Sequence, residues 1–193
     1  MPVEYLKETP SQTGGPYVHI GTMPAFAGLE IRQDEQQHVI PGPGERVKLV
    51  GVVWDGSGHP VRDAMLELWQ ADSAGRHNAP DFSGWGRAAA SSETGEWEFD
   101  TIRPGMVPWR DGTPQAPHVS LLIFARGINI HLHTRLYFPE DAAALAADPV
   151  LRAVEQTGRR ATLVAQRVEG GEVPTYRFDI RLQGEGETVF FDM

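Results

Sequence analysis

Imidazole and phenol side chains are the groups in this sequence best suited to metal chemistry. The chain has seven histidines, four tyrosines and no cysteine, so thiolate sites and disulfides are excluded. A hard cation held by oxygen and imidazole is the metal chemistry that remains open. His131 and His133, two residues apart in a β-type stretch, project to one face as a metal pair would. No third ligand lies near them in sequence, and they read as polar or interface histidines. His19, His38 and His59 lie in loop-like segments and read as surface residues. Tyr137 and Tyr176 fall in strand-like stretches, where a core or edge position accounts for them.

The elements that must position these groups are mostly strands. Arg46 to Trp54 is β-rich and ends at Asp55-Gly56-Ser57-Gly58, a strong turn signal. Met65 to Gln70 alternates, as does Glu96 to Phe99. Val119 to Phe124 is a nearly continuous apolar run, predicting a strand buried on both faces. Thr134 to Phe138, Tyr176 to Leu182 and Thr188 to Phe191 complete the predicted strands. Helical pattern is confined to Glu140–Ala147, Val150–Gln156 and a weaker stretch at Arg159–Ala165, with Pro149 separating the first two. The 21 glycines and 15 prolines in 193 residues fit short strands joined by turns. The reading is mainly β: a two-sheet β-sandwich over residues 46–193 with a small helical insertion. Residues 1–45 are broken by Pro and Gly and read as an extended N-terminal arm. Their apolar residues imply that this arm lies across another surface.

A formal net charge of -9 argues against broad contact with nucleic acid or an anionic membrane. An anionic substrate would need a local basic group. No secretory signal and no apolar run of roughly 18 residues is visible, so a soluble cytoplasmic protein is expected.

Three loop motifs carry a family resemblance. They are Leu66-Glu-Leu-Trp-Gln-Ala-Asp72 with Gly75-Arg76-His77, Thr101-Ile-Arg-Pro-Gly-Met-Val-Pro-Trp-Arg110, and Ala116-Pro-His-Val-Ser120. In this order they resemble the intradiol catechol dioxygenases, which hold Fe(III) with two tyrosinates and two histidines. The resemblance implies a prealbumin-like sandwich and places the ligand positions at His77, Val107, His118 and Ser120. One ligand of four is kept. Gln115 stands where the catalytic chains carry an arginine thought to steady a carbanion-like intermediate. The resemblance therefore implies no catalytic residue and no metal ligand set in this chain, with His77 and His118 as remnants.

Further blocks resemble the iron-free α chains of two-chain family members: Thr9 to Tyr17, Phe124 to Arg135 and Tyr176 to Asp192. In those proteins an α chain pairs with a homologous iron-bearing β chain, the active site lies at their seam, and the αβ units form larger oligomers. What this implies here is a partner β chain holding Fe(III), a catechol carrying a ring carboxylate (3,4-dihydroxybenzoate), and O2. The ring would open between the hydroxyl-bearing carbons. Arg126 matches the α-chain arginine near the substrate, and its plainer reading is a salt-bridged arginine at a strand end. Gly14, Gly15, Pro16 and Tyr17 match the pocket-lining arm, with Thr13 a weaker candidate. Glycine permits close backbone approach and tyrosine offers a flat wall with a polar tip, although an ordinary turn would look similar. A self-sufficient homo-oligomeric dioxygenase and a non-catalytic transthyretin-like binding sandwich are the rival expectations.

Overall fold

In the computed structural model, which describes residues 18–25, 28–29 and 37–192, the chain runs from a short helix into a two-sheet body. Helix α1 (Val18–Thr22) precedes strands β1 (Arg46–Trp54), β2 (Met65–Gln70), β3 (Trp85–Ala89) and β4 (Glu96–Ile102). A hairpin of β5 (Val107–Pro108) and β6 (Pro114–Gln115) leads to β7 (His118–Phe124) and β8 (Leu132–Tyr137). Helices α2 (Ala142–Ala147) and α3 (Pro149–Ala153) and a 3-10 turn (Thr157–Leu163) then precede β9 (Gln166–Val168), β10 (Thr175–Arg177) and β11 (Ile180–Arg181).

The first sheet is built on β1. Strand β4 pairs antiparallel along its length, from Arg46 opposite Ile102 to Val52 opposite Glu96. Strands β10 and β11 run parallel on its other edge. The predicted strand Tyr176–Leu182 is thus broken in two. At the break, Asp179 Oδ1 accepts from the Val52 amide at 3.1 Å, substituting a side chain for a ladder carbonyl. The second sheet has the order β3-β2-β7-β8 and is antiparallel throughout. Leu49, Trp97 and Phe99 from one sheet meet Leu66, Leu68, Leu121 and Ile123 from the other, all fully buried. Each such side chain stabilises the fold by roughly 1.5–3 kcal/mol.

Several expectations need correction. β7 is not buried on both faces: Val119, Leu121 and Ile123 are buried, but Ser120, Leu122 and Phe124 are only half-buried. These lie on the outer face of the second sheet. Thr188–Phe191 forms no strand beyond a single bridge from Phe191 to His133. The helical stretch Arg159–Ala165 is a 3-10 turn ending at Leu163. Pro149 does more than separate two helices, because it opens α3 directly after Asp148, where its missing N–H costs nothing. Within the predicted arm, Val18–Thr22 is helical, the Thr22 carbonyl accepts from Arg87, and Ile40 lies in the core at 1% exposure. Thr13, Gly14, Gly15, Pro16 and Tyr17 lie outside the described residues. Among the described residues, no helix is long and apolar enough to cross a membrane.

Asp148 ties the helical insertion to the sheets. It is fully buried. Its Oδ1 accepts from the Val150 and Leu151 amides at 2.8 and 2.9 Å, capping α3. Its Oδ2 accepts from the Ala116 amide at 2.9 Å, two residues before His118.

Candidate functional site

Two loops have to meet for the four positions matched by resemblance to a ligand set, His77, Val107, His118 and Ser120, to converge. The first follows β2. Asp72 Oδ1 accepts from the Ala74 and Arg76 amides, and its Oδ2 takes both Nε and an Nη of Arg76, at 2.8 and 2.7 Å. That pins the turn before His77. The second loop contains Gly105. Gly75 has φ +79°, and a Cβ there would stand 1.9 Å from the Met106 carbonyl oxygen. Only glycine allows this approach, which brings His77 and Val107 to one cavity. Gln70 locks the base of the first loop to the opposite sheet. Its amide donates to the Ile102 carbonyl at 2.9 Å and its Oε1 accepts from Thr101 at 2.9 Å.

The result is a cavity of about 350 Å3 lined by His77, Val107, His118 and Ser120 together, with Trp69, Gln115 and Arg135 among its other walls. Trp69 and His77 stack at 5.7 Å with rings 5° from parallel. Strand register explains the floor: Ser120 lies opposite Trp69 on one side and Arg135 on the other, so the three side chains share a face. His118 Nδ1 lies 2.8 Å from the Ala116 carbonyl. A carbonyl only accepts, so Nδ1 carries the proton.

Arg135 was not singled out from the sequence. It is 6% exposed and donates to Gln115 Oε1 at 2.8 Å. Only the cross-strand register with Ser120 brings it into the cavity, and that register is not written in any local motif. The Arg/Gln arrangement also explains Gln115, whose buried amide reaches Pro108 O at 3.3 Å and serves as an acceptor for a fixed cation.

This donor set does not suit a ferric ion. Val107 has no ligating atom, Ser120 offers a neutral hydroxyl, and Arg135 brings a permanent positive charge to the same walls. Among the described residues, no group of three or more His, Asp or Glu side chains could hold a metal ion. No third ligand among the described residues joins His131 and His133, whose rings lie against Phe124 and Phe191 at 5.5 and 6.0 Å.

The same electrostatics suppress protonation of the buried imidazoles. Burial, then the Arg135 charge, lowers the pKa of His118 to about 3 and of His133 to about 4. The unfolded chain titrates both near 6.5, so below that pH it binds more protons than the folded chain. Stability from these groups is therefore complete above about pH 6.5 and is lost on acidification. Each contributes a loss of up to roughly 2 kcal/mol between pH 6.5 and 5. Urea melts at the two pH values should show this, and His118→Phe should flatten the dependence. Identical pH dependence in the variant would contradict the assignment.

Arg126 lies elsewhere. It follows the far end of β7 from His118, a separation of roughly 20 Å at the rise of an extended strand. Its side chain is 67% exposed, and Nε lies 2.5 Å from Asp63 Oδ2. The N–H is not directed at that oxygen, so this is a charge contact rather than a hydrogen bond. Arg126 therefore cannot serve the cavity of its own chain.

Comparison with known proteins agrees with the fold and the loops. The family model described as Dioxygenase matches residues 15–184. A solved dioxygenase domain from Streptomyces sp. SirexAA-E superposes with a TM-score of 0.58 at 22% identity, covering 95% of this chain and 100% of that one. The chain belongs to the intradiol dioxygenase family, which is iron-dependent. Within that family it is 52% identical over 202 residues to the protocatechuate 3,4-dioxygenase alpha chain of Pseudomonas putida, with both chains covered completely. It is 35% identical to the protocatechuate 3,4-dioxygenase beta chain of Burkholderia cepacia, over 75% of this chain and 67% of that one.

Proposed function

We propose that this chain is the α subunit of a protocatechuate 3,4-dioxygenase and works only beside a homologous β chain that holds the Fe(III). The complex converts 3,4-dihydroxybenzoate and O2 to 3-carboxy-cis,cis-muconate, both oxygen atoms entering the product, in cytoplasmic degradation of aromatic compounds. The observation that carries the reading is the remodelled cavity: a dioxygenase scaffold with Val107, Ser120 and the Arg135 guanidinium where a metal would be gripped. A self-sufficient enzyme would need ligands that these walls do not offer.

The chain's own contribution is to bind and orient. Arg126, exposed and remote from its own cavity, offers a guanidinium fork to the ring carboxylate of a substrate seated on the partner. Asp63 holds that side chain near the strand end until the carboxylate arrives. Thr13, Gly14, Gly15, Pro16 and Tyr17 form the neighbouring wall, on an arm (residues 1–45) that reaches the β chain. The outer face of the second sheet, where Trp69 and Trp85 are exposed and Leu122 is half-buried, supports such an assembly, because exposed apolar faces of this kind mark contact surfaces.

The test is co-expression with a β chain. The two chains should purify in one-to-one ratio and consume O2 with 3,4-dihydroxybenzoate, while this chain alone should be inactive. Activity of this chain alone, or failure to associate with any β chain, would contradict the proposal.

A further inference from the structure

We propose that the remodelled cavity between His77 and Arg135 is itself a binding site, for a small aromatic carboxylate held by the Arg135 guanidinium. The inference does not depend on the role assigned to Arg126.

Arg135 is a buried cation whose guanidinium lies 5.9 Å from the Phe191 ring centroid and has few polar partners among the described residues. One Nη donates to Gln115 Oε1 at 2.8 Å and lies 3.4 Å from the Tyr137 hydroxyl, while Nε is buried with no hydrogen-bond acceptor among the described residues. No carboxylate of the described residues forms an ion pair with it. Asp148 balances it only at one remove, because its Oδ1 lies 3.4 Å from the same Tyr137 hydroxyl. A buried guanidinium with no carboxylate partner is costly until an anionic acceptor reaches its Nη groups from the cavity that Arg135 borders. Its planar fork matches the two oxygens of a carboxylate better than a monatomic anion.

The walls select for the rest of the ligand. Trp69 and His77 stack at the rim, and Val107 and Pro108 face the same space of about 350 Å3. Flat and apolar surfaces beside one cation suit a planar ring bearing one negative group. Ser120 adds a hydroxyl that can donate or accept. Arg135 also borders a second, larger cleft of about 690 Å3 lined by Trp109, Arg110 and Phe191, so the experiment must separate the two sides.

Calorimetric titration of benzoate into the native assembly, with benzamide as the uncharged control, provides the test. The wild type should show one benzoate site per copy of this chain, beyond any carried by another subunit. Gln115→Glu places a carboxylate where Arg135 already donates, and should weaken that site by about 30-fold with the melting temperature preserved. Val107→Phe, which fills only the cavity proposed, should do the same. Benzamide should not bind. No additional benzoate site in the wild type, equal binding of benzamide, or unchanged affinity in either variant would overturn the proposal. Since Arg126 is intact throughout, these outcomes are separable from failure of the substrate-carboxylate role.

Discussion

Arg126→Ala in the assembled enzyme is expected to raise KM for 3,4-dihydroxybenzoate by roughly 10- to 30-fold, with a much smaller change in kcat. The magnitude follows from losing a charge-assisted pair at a site that is largely exposed before assembly, where solvent weakens the interaction. Catechol lacks the ring carboxylate and should lose less than about 2-fold, since nothing in it contacts the guanidinium. Arg126→Lys should fall between, keeping the charge but losing the fork. Steady-state oxygen uptake with both substrates separates this from a folding defect, which would affect both alike. Equal KM changes for the two substrates would refute the carboxylate contact.

Asp148→Ala is the second large effect, and it is one of stability. The fully buried carboxylate accepts from three main-chain amides, those of Ala116, Val150 and Leu151. Alanine leaves all three unsatisfied in a dry environment, at a cost of roughly 4 kcal/mol or more. In a domain of this size that lowers Tm by about 10 °C or more. Asp148→Asn retains one acceptor oxygen for the α3 amides but turns an NH2 group toward Ala116, so about half the loss should remain. Because Ala116 holds His118 through its carbonyl, the damage should reach the remodelled cavity as well. Thermal melts of the two variants check the order, and a neutral Asp148→Ala would contradict it.

The body of the sandwich was legible in the sequence where local pattern and burial agree. The limits of β1 and β2 follow from alternation and from the Asp55–Gly58 turn. β3 did not stand out, because Trp-Gly-Arg-Ala-Ala has little strand propensity and is strand only through its pairing with Met65–Trp69. The break at Asp179 was hidden for the opposite reason: the residues around it favour strand, and one carboxylate interrupts the ladder. The outer face of β7 looked core-like because Leu122 and Phe124 are apolar, yet they face out from the sheet.

The site was legible only in part. The four positions matched to the family's ligands could be placed through motif resemblance, and His77, Val107, His118 and Ser120 line one cavity. What the motifs could not reveal is which other side chains share that cavity. Arg135 lies fifteen residues beyond Ser120, and only strand pairing makes them neighbours. Asp148 had a local signal, an acidic residue before Pro at the start of a helix, but its bond to Ala116 is a long-range fact.

This chain keeps the dioxygenase scaffold while the walls of its cavity offer no ligand set for the metal. Iron content and the visible ferric–tyrosinate absorption, measured on the purified chain alone and on its complex with a β chain, test this most directly. The single chain should be colourless and iron-free, and the complex should carry about one Fe(III) per αβ pair. A coloured single chain carrying one ferric ion per copy would contradict this.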